Sequence, residues 1–125
     1  MSDWRERNRP LLEQRLARLL RSRGRPFVII TDAVSGKFVK FIGSKSEPLL
    51  LDLPSSQILT NTEIAEAQRL LGQPRVVKMG PKTRKAFMVW HAGPFESPGA
   101  AAEKALDVME SVFHAGAELL VEFGR

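Results

Sequence analysis

Strand-like segments follow one another in uninterrupted runs, and this order constrains the fold more than any other feature of the chain. Strands joined in series by short connections pair antiparallel, whereas a doubly wound fold alternates single strands with helices. The sequence therefore predicts an α+β domain with an antiparallel sheet of five to six strands flanked by helices. The five strand candidates are residues 26–34, which are apolar and β-branched, and residues 37–42, 48–53, 75–79 and 85–91.

Helical periodicity completes the order of elements. Residues 3–22 place leucines at helical spacing, and residues 62–71 and 98–113 do the same with mixed apolar side chains. Pro10 either kinks the first helix or marks its first turn. Residues 118–123 alternate as a final edge strand does, although a helical continuation is an alternative. The predicted order is α-β-β-β-α-β-β-α-(β).

Short motifs predict where these elements begin and end. Thr60 followed three residues later by Glu63 is a capping box for the second helix, and Gly72 ends that helix. Ser97 before Pro98 is the start signal of the third helix. Ser35-Gly36 predicts a tight turn between the first two strands.

Composition is that of one globular domain. The chain has 125 residues, of which 43% are hydrophobic and 26% are charged, so residues 1–125 are predicted to form a single domain that includes the first helix. There is no cysteine, and no apolar run approaches the roughly 20 residues that cross a bilayer. Without a secretory signal pattern, the expected location is the cytoplasm.

The positive charge is concentrated at the N-terminus. Residues 1–25 hold eight arginines and three acids, which gives the +5 of the whole chain. The leucines of this basic amphipathic helix are interpreted as the face that docks on the sheet. Arg15 and Arg18 are then candidate contacts for an acidic partner, while a membrane surface or a nucleic acid is the alternative.

A second basic cluster lies in the expected hairpin of the fourth and fifth strands. Its members have no acid between them. They form either a solvated hairpin tip or a surface that binds the phosphates of a nucleic acid. Exposed aromatic residues for base stacking are not interleaved with them, which favours the first interpretation. The members are Arg75, Lys78, Lys82, Arg84 and Lys85.

No residue pattern predicts catalysis. The two histidines, His91 and His114, have no second ligand at a known spacing, and the acids Asp32 and Asp52 stand apart in the sequence. Nucleophile elbows, Walker loops and dinucleotide fingerprints are missing from the sequence. We therefore expect no enzyme activity, no metal site and no cofactor.

Large apolar groups occur on both faces of the predicted strands. A sheet with helices on one face normally has a polar second face, so either helices cover both faces or the second face is an interface. A homodimer or a bound extended polypeptide would satisfy such a surface, and a sheet edge also suits strand addition. The candidate contact residues are Val39, Phe41, Leu49 and Leu51.

One segment resembles a known family. Gly36-Lys37-Phe38-Val39-Lys40-Phe41, then Gly43-Ser44, Leu49 to Pro54, Leu59 and Thr62-Glu63 look like the central block of the type III secretion chaperone-like superfamily, in its YbjN-like bacterial branch. This resemblance covers roughly residues 26–72. It implies a bent antiparallel sheet flanked by helices, a homodimer and binding of extended polypeptide, in a non-enzymatic protein. The basic charge of this chain departs from the acidic character typical of secretion chaperones.

Overall fold

The computed structural model describes residues 3–54, 59–78 and 86–125. These residues form three helices and six strands in the predicted order, and the last segment is a strand. The helices are α1 (Asp3–Arg21), α2 (Asn61–Leu71) and α3 (Pro98–Ser111). The strands are β1 (Phe27–Asp32), β2 (Phe38–Ile42), β3 (Leu50–Pro54), β4 (Arg75–Lys78), β5 (Ala86–Ala92) and β6 (Leu119–Gly124).

The six strands form one antiparallel sheet in the order β4-β5-β3-β2-β1-β6. The first three strands pair in series and antiparallel, as their short connections predict, with Val28 opposite Phe41 and Phe41 opposite Leu51. The chain then crosses over through α2, so that β5 pairs with β3 and β4 becomes one edge. The final strand β6 forms the other edge, which confirms the predicted edge strand, and it pairs with β1.

The helix ends follow the predicted motifs. The Thr60 hydroxyl accepts a hydrogen bond from the Glu63 backbone N–H at 3.2 Å, and the Glu63 carboxylate accepts one from the Thr60 N–H at 2.8 Å, which confirms the capping box. Ser97 caps α3 through the Ala100 N–H, with Pro98 in the first turn. The first helix runs through Pro10 rather than beginning there.

A single apolar core lies between the three helices and one face of the sheet. Because side chains alternate along a strand, the register places Val28, Ile30, Phe41, Leu53 and Trp90 on this inner face, and all are fully buried. The helices fill the space above with leucines, alanines and a methionine. These are Leu12, Leu16, Leu19, Ala67, Ala101, Ala102, Ala105, Leu106 and Met109.

Ion pairs join α1 to α3 at the outer side of the helical layer. The Arg5 guanidinium lies 2.6 Å from Glu103, 2.8 Å from Asp107 and 3.4 Å from Glu110, and Arg9 also reaches Glu103. Burial on its own lowers the pKa of Arg5, but the hydrogen bonds and charges of Asp107 and Glu103 outweigh it and raise that pKa above its ordinary value. Two of the eight N-terminal arginines therefore bind the domain's own third helix.

Candidate functional site: the open face of the sheet

The sheet face opposite the helices is the candidate functional surface, and we call it the open face. It exists because the three helices pack into one core cluster on the inner face, which leaves the alternate strand residues uncovered by any described helix. The side chains of this face are half-buried to exposed, and Leu120 is 50% exposed. Most are apolar: Phe27, Ile29, Phe38, Ile42, Leu50, Val89 and Leu120.

A line of mostly polar residues crosses the open face from one edge strand toward the other. Strand register aligns Glu122 of β6, Ile29 of β1, Lys40 of β2, Asp52 of β3 and His91 of β5. We call these five residues the polar row. Its charges alternate in sign across the two central strands, since Lys40 of β2 is directly opposite Asp52 of β3.

Within the polar row, two side chains are bonded to each other and one cation has no carboxylate partner. His91 Nδ1 lies 2.6 Å from Asp52 Oδ1. The Lys40 ammonium lies 5.0 Å from the centre of the Phe27 ring, within range of a cation–π contact. Among the described residues, no carboxylate is within ion-pair distance of Lys40, so its charge is available to a partner.

The open face ends in a concavity of about 420 Å³ beside the loops that follow α1 and β2. Phe27, Ile42 and Leu50 line it with apolar surface, and Arg25, Lys40 and Glu47 line it with charge. The loops are held together by a 2.8 Å hydrogen bond from the Lys45 N–H to the Ser22 carbonyl. The concavity therefore continues the open face rather than forming a separate site.

The four predicted sheet contacts lie in the core, with Val39, Phe41 and Leu51 on the inner face and Leu49 directly before β3. Val39, Phe41 and Leu51 are 0% exposed and Leu49 is 1% exposed. A partner cannot touch them in this conformation without opening the core. Both faces of these strands are apolar, so alternation alone did not distinguish the core side from the uncovered side. The open face, rather than these four residues, is therefore the surface that a partner can reach.

The two predicted arginine contacts lie on α1 near the β6 edge. Arg18 is exposed, and its guanidinium carbon stacks 4.0 Å from the centre of the Phe123 ring, on the inner face of β6. Arg15 is half-buried. Neither forms an ion pair with a described residue, so both charges remain available to an acidic partner, with Arg18 held in place by the ring.

The two predicted basic clusters lie at opposite edges of the sheet. Arg75 is exposed on β4, whereas α1 contacts β1 and β6 at the other edge. Five strand spacings, about 24 Å, separate those edges. The backbone of Lys78 belongs to β4, but its side chain and the residues Lys82, Arg84 and Lys85 lie outside the described part of the structure.

The acids considered for catalysis have structural partners. The Asp32 carboxylate, 2% exposed, accepts hydrogen bonds from the Ser35 N–H and hydroxyl and so holds the β1–β2 turn. Glu63 caps α2 and pairs with Lys37 at 2.5 Å. Burial on its own raises the pKa of Glu63, but the hydrogen bonds from Lys37 and Thr60 outweigh it, so the pKa lies below its ordinary value.

The Asp52–His91 pair and the polar row were not found by sequence reasoning. The two residues are 39 positions apart, and they meet only because β5 pairs with β3 after the crossover. One local signal existed: Leu50 and Asp52 share a face in the predicted third strand, which marked that face as mixed. Among the described residues, no group of three or more potential ligands is placed to hold a metal ion.

Comparisons with models of protein families, with curated proteins and with solved structures return no match to this chain. No helix in the described ranges has the length and apolar character needed to span a bilayer.

Proposed function

We propose that this chain is a non-enzymatic, chaperone-like protein-binding domain that works in the cytoplasm and uses the open face to contact another polypeptide chain, in the first place a second copy of itself. The single observation that supports this most strongly is the apolar character of a sheet face that no described helix covers. Phe27, Ile42 and Leu50 lie next to one another on one side of the polar row, and an uncovered apolar patch is typical of interaction sites rather than of a solvated face. The chaperone-like resemblance of residues 26–72 supports the same class.

The chemistry of the polar residues favours binding over catalysis. The Asp52–His91 pair lies on the open face of the sheet, and among the described residues no hydroxyl is hydrogen-bonded to His91. Within that part of the chain, the pair therefore has no nucleophile of the kind that a His–Asp arrangement activates. Asp32 and Glu63 are occupied by a turn and a helix cap. The lack of cysteine also removes the disulfides of small secreted domains.

Paired variants of equal chemistry test the proposal. Ile42→Gln with Leu50→Gln makes the apolar part of the open face beside the concavity polar. Val34→Gln with Val76→Gln makes the same change at apolar residues that are 81% and 59% exposed and lie outside that face. Two partners are measured: self-association by sedimentation from about 1 to about 100 µM, and binding of fluorescent, reduced and carboxymethylated α-lactalbumin as an unfolded polypeptide.

We expect the native chain to show at least one of these associations and the open-face variant to weaken it at least about tenfold, since each apolar side chain contributes about 1.5–3 kcal/mol when fully buried. The control variant should stay within about twofold. If the native chain neither self-associates nor binds the unfolded polypeptide, or if both variants behave alike, the proposal is wrong.

A second candidate, nucleic-acid binding, is favoured by a cluster of exposed cations at one end of the sheet. Among the described residues none of them forms an ion pair. Strand pairing of Phe27 with Gly124 brings the β1 and β6 ends together, and the Lys45–Ser22 hydrogen bond adds the β2–β3 loop. The cluster consists of Arg21, Arg23, Arg25, Lys45 and Arg125.

Salt dependence distinguishes this candidate. If the cluster contacts phosphates, affinity for a duplex oligonucleotide falls steeply with salt, and Arg23→Gln with Arg25→Gln reduces the slope of log affinity against log salt by about 1.8. Arg7→Gln is the control, because Arg7 is exposed but lies toward the other end of α1. Absence of binding at low salt would eliminate nucleic acid as a ligand.

A further inference from the structure

We infer that two copies of this chain pair through their open faces about a twofold axis that runs along the strands, between β2 and β3, so that Lys40 of each copy contacts Asp52 of the partner subunit. This inference rests on the proposed function, because it assigns the geometry with which the open face holds its partner. It goes beyond it by fixing the direction of the axis and the residues that meet.

The charges on the central strands determine the direction of the axis. When two identical faces meet in a symmetric dimer, the twofold axis lies in the plane between them. An axis along the polar row would place Lys40 over Lys40 of the partner subunit and Asp52 over Asp52 of the partner subunit, with like charges in contact. An axis along the strands reverses the order of the strands and places Lys40 over Asp52 of the partner subunit, twice.

The same rotation also brings residues of like or complementary chemistry opposite one another around the Lys40–Asp52 contact. Ile42 of β2 then faces Leu50 of the partner subunit, because both belong to the row next to the polar row. At the outer strands, Glu122 of β6 lies opposite β4 of the partner subunit. The exposed Arg75 of the partner subunit lies on that strand, one row away from the polar row. Aligned sheets stack about 10 Å apart with a rotation of about 30°, so contacts near the axis stay in register and those at the edges shift.

The area of the open face is sufficient for a dimer. Six strands spaced about 4.8 Å and about five residues long present a face of roughly 500 Å² per copy, so that pairing covers roughly 1,000 Å² in total. That reaches the roughly 1,000 Å² expected of a biological interface but is less than the roughly 1,200–2,000 Å² of stable complexes, so the expected dimer is a weak one. Lys40, which has no carboxylate within ion-pair distance among the described residues, gains one in the dimer.

Charge reversal followed by mixing tests the inference. Lys40→Glu alone and Asp52→Lys alone each create two like-charge contacts across the interface, and we expect each to weaken self-association at least about tenfold. In an equimolar mixture, the carboxylate introduced at position 40 faces the ammonium introduced at position 52, and the native Asp52 of one variant faces the native Lys40 of the other. Heterodimers should therefore form with close to native affinity. Sedimentation of the separate and mixed proteins, with one of them fluorescently labelled, measures this directly.

The mixing step separates contacts between copies from contacts within one chain. Lys40 and Asp52 are also cross-strand neighbours in the same sheet, so each single variant places like charges side by side within its own chain. Mixing does not change that repulsion between neighbours within one chain. If association recovers in the mixture, the recovery must therefore come from contacts between the two copies. If either variant fails to fold by circular dichroism, Lys40→Gln and Asp52→Asn replace the pair, with a smaller loss of association expected for each.

The outcomes separate this inference from the proposed function. A native chain that stays monomeric but binds unfolded α-lactalbumin overturns the twofold pairing and leaves the protein-binding function standing. A native dimer that neither charge variant weakens, or a mixture without heterodimers, also overturns the pairing. A native chain without either association overturns both.

Discussion

At the scale of single residues, two neighbouring leucines show how differently the two faces of the sheet are buried. Leu51 is 0% exposed in the core, whereas Leu50, the preceding residue, is half-buried on the open face. Both have the same chemistry and lie in the same strand, and only the pleat separates them. Their difference in burial therefore translates directly into different expected effects of substitution.

We predict that Leu51→Ala lowers the free energy of unfolding by about 2–5 kcal/mol, because it leaves a cavity beneath the helices. Leu50→Ala should cost about 1 kcal/mol or less in the monomer, and its main effect should be weaker association. Urea denaturation at low protein concentration measures both. Equal losses for the two variants would mean that the inner and open faces have been misassigned.

We predict that the unfolding free energy depends on pH through Glu63. Because its pKa is lowered in the folded state, the carboxylate contributes stability above the unfolded value of about 4.3, and this contribution is lost as pH falls through the lower folded pKa. Glu63→Gln should therefore make the free energy of unfolding depend less on pH in the acid range. Glu6→Gln, at an exposed position of α1, is the control that should leave this pH dependence unchanged.

Local motifs could be predicted at this scale, and burial could not. The Thr60–Glu63 cap depends on four adjacent residues, so the sequence contains the whole interaction. The inward position of Phe41 depends instead on which face the helices cover, and both faces of its strand are apolar. Only tertiary packing distinguishes them.

At the scale of elements, the contact between α1 and α3 combines leucine packing with a cluster of charges. Arg5 bonds to carboxylates at positions 103, 107 and 110, which lie on one side of α3 at helical spacing. Its side chain is only 19% exposed. These bonds are therefore better shielded from solvent than a typical surface ion pair.

We predict that Arg5→Gln destabilises the fold by about 1–2 kcal/mol, between the values for exposed and buried ion pairs, because it leaves three carboxylates crowded together. Arg7→Gln, on the exposed side of the same helix, should stay within about 0.5 kcal/mol. Thermal denaturation of both, repeated in about 1 M salt, should show the difference shrinking. A salt-independent difference would point to lost packing of the Arg5 side chain instead.

The order of elements could be predicted from the sequence, and so could the pairing of the first three strands, since short connections leave adjacent strands little alternative to antiparallel neighbours. The insertion of β5 beside β3 could not. It follows from α2 carrying the chain across the sheet, and no local pattern specifies how far. The Asp52–His91 contact depends on that crossover and was missed for the same reason.

At the scale of the whole molecule, the domain has two layers, one of helices and one of strands, and the strand layer has a second apolar surface. A two-layer domain needs only one buried sheet face. The apolar side chains on the other face therefore contribute little to the stability of an isolated subunit. They become stabilising when another surface covers them.

We predict that the thermal midpoint rises with protein concentration, because association stabilises the folded state by mass action. A hundredfold increase in concentration should raise it by about 3–6 °C for a domain of this size. The Ile42→Gln/Leu50→Gln variant is the control, and its midpoint should change less with concentration because its association is weaker. A concentration-independent midpoint for the native chain would contradict a dimer that dissociates as it unfolds.

The packing of Phe27 against Gly124 has a consequence for how sequences related to this one can vary. The two residues are register partners in β1 and β6, and a methyl group built on Gly124 would overlap the Phe27 ring. A larger residue at position 124 is therefore compatible with this sheet only when position 27 loses its ring. We expect the two positions to covary, and saturation mutagenesis that selects for folded protein should recover substitutions at 124 mainly in clones that also carry a smaller residue at 27.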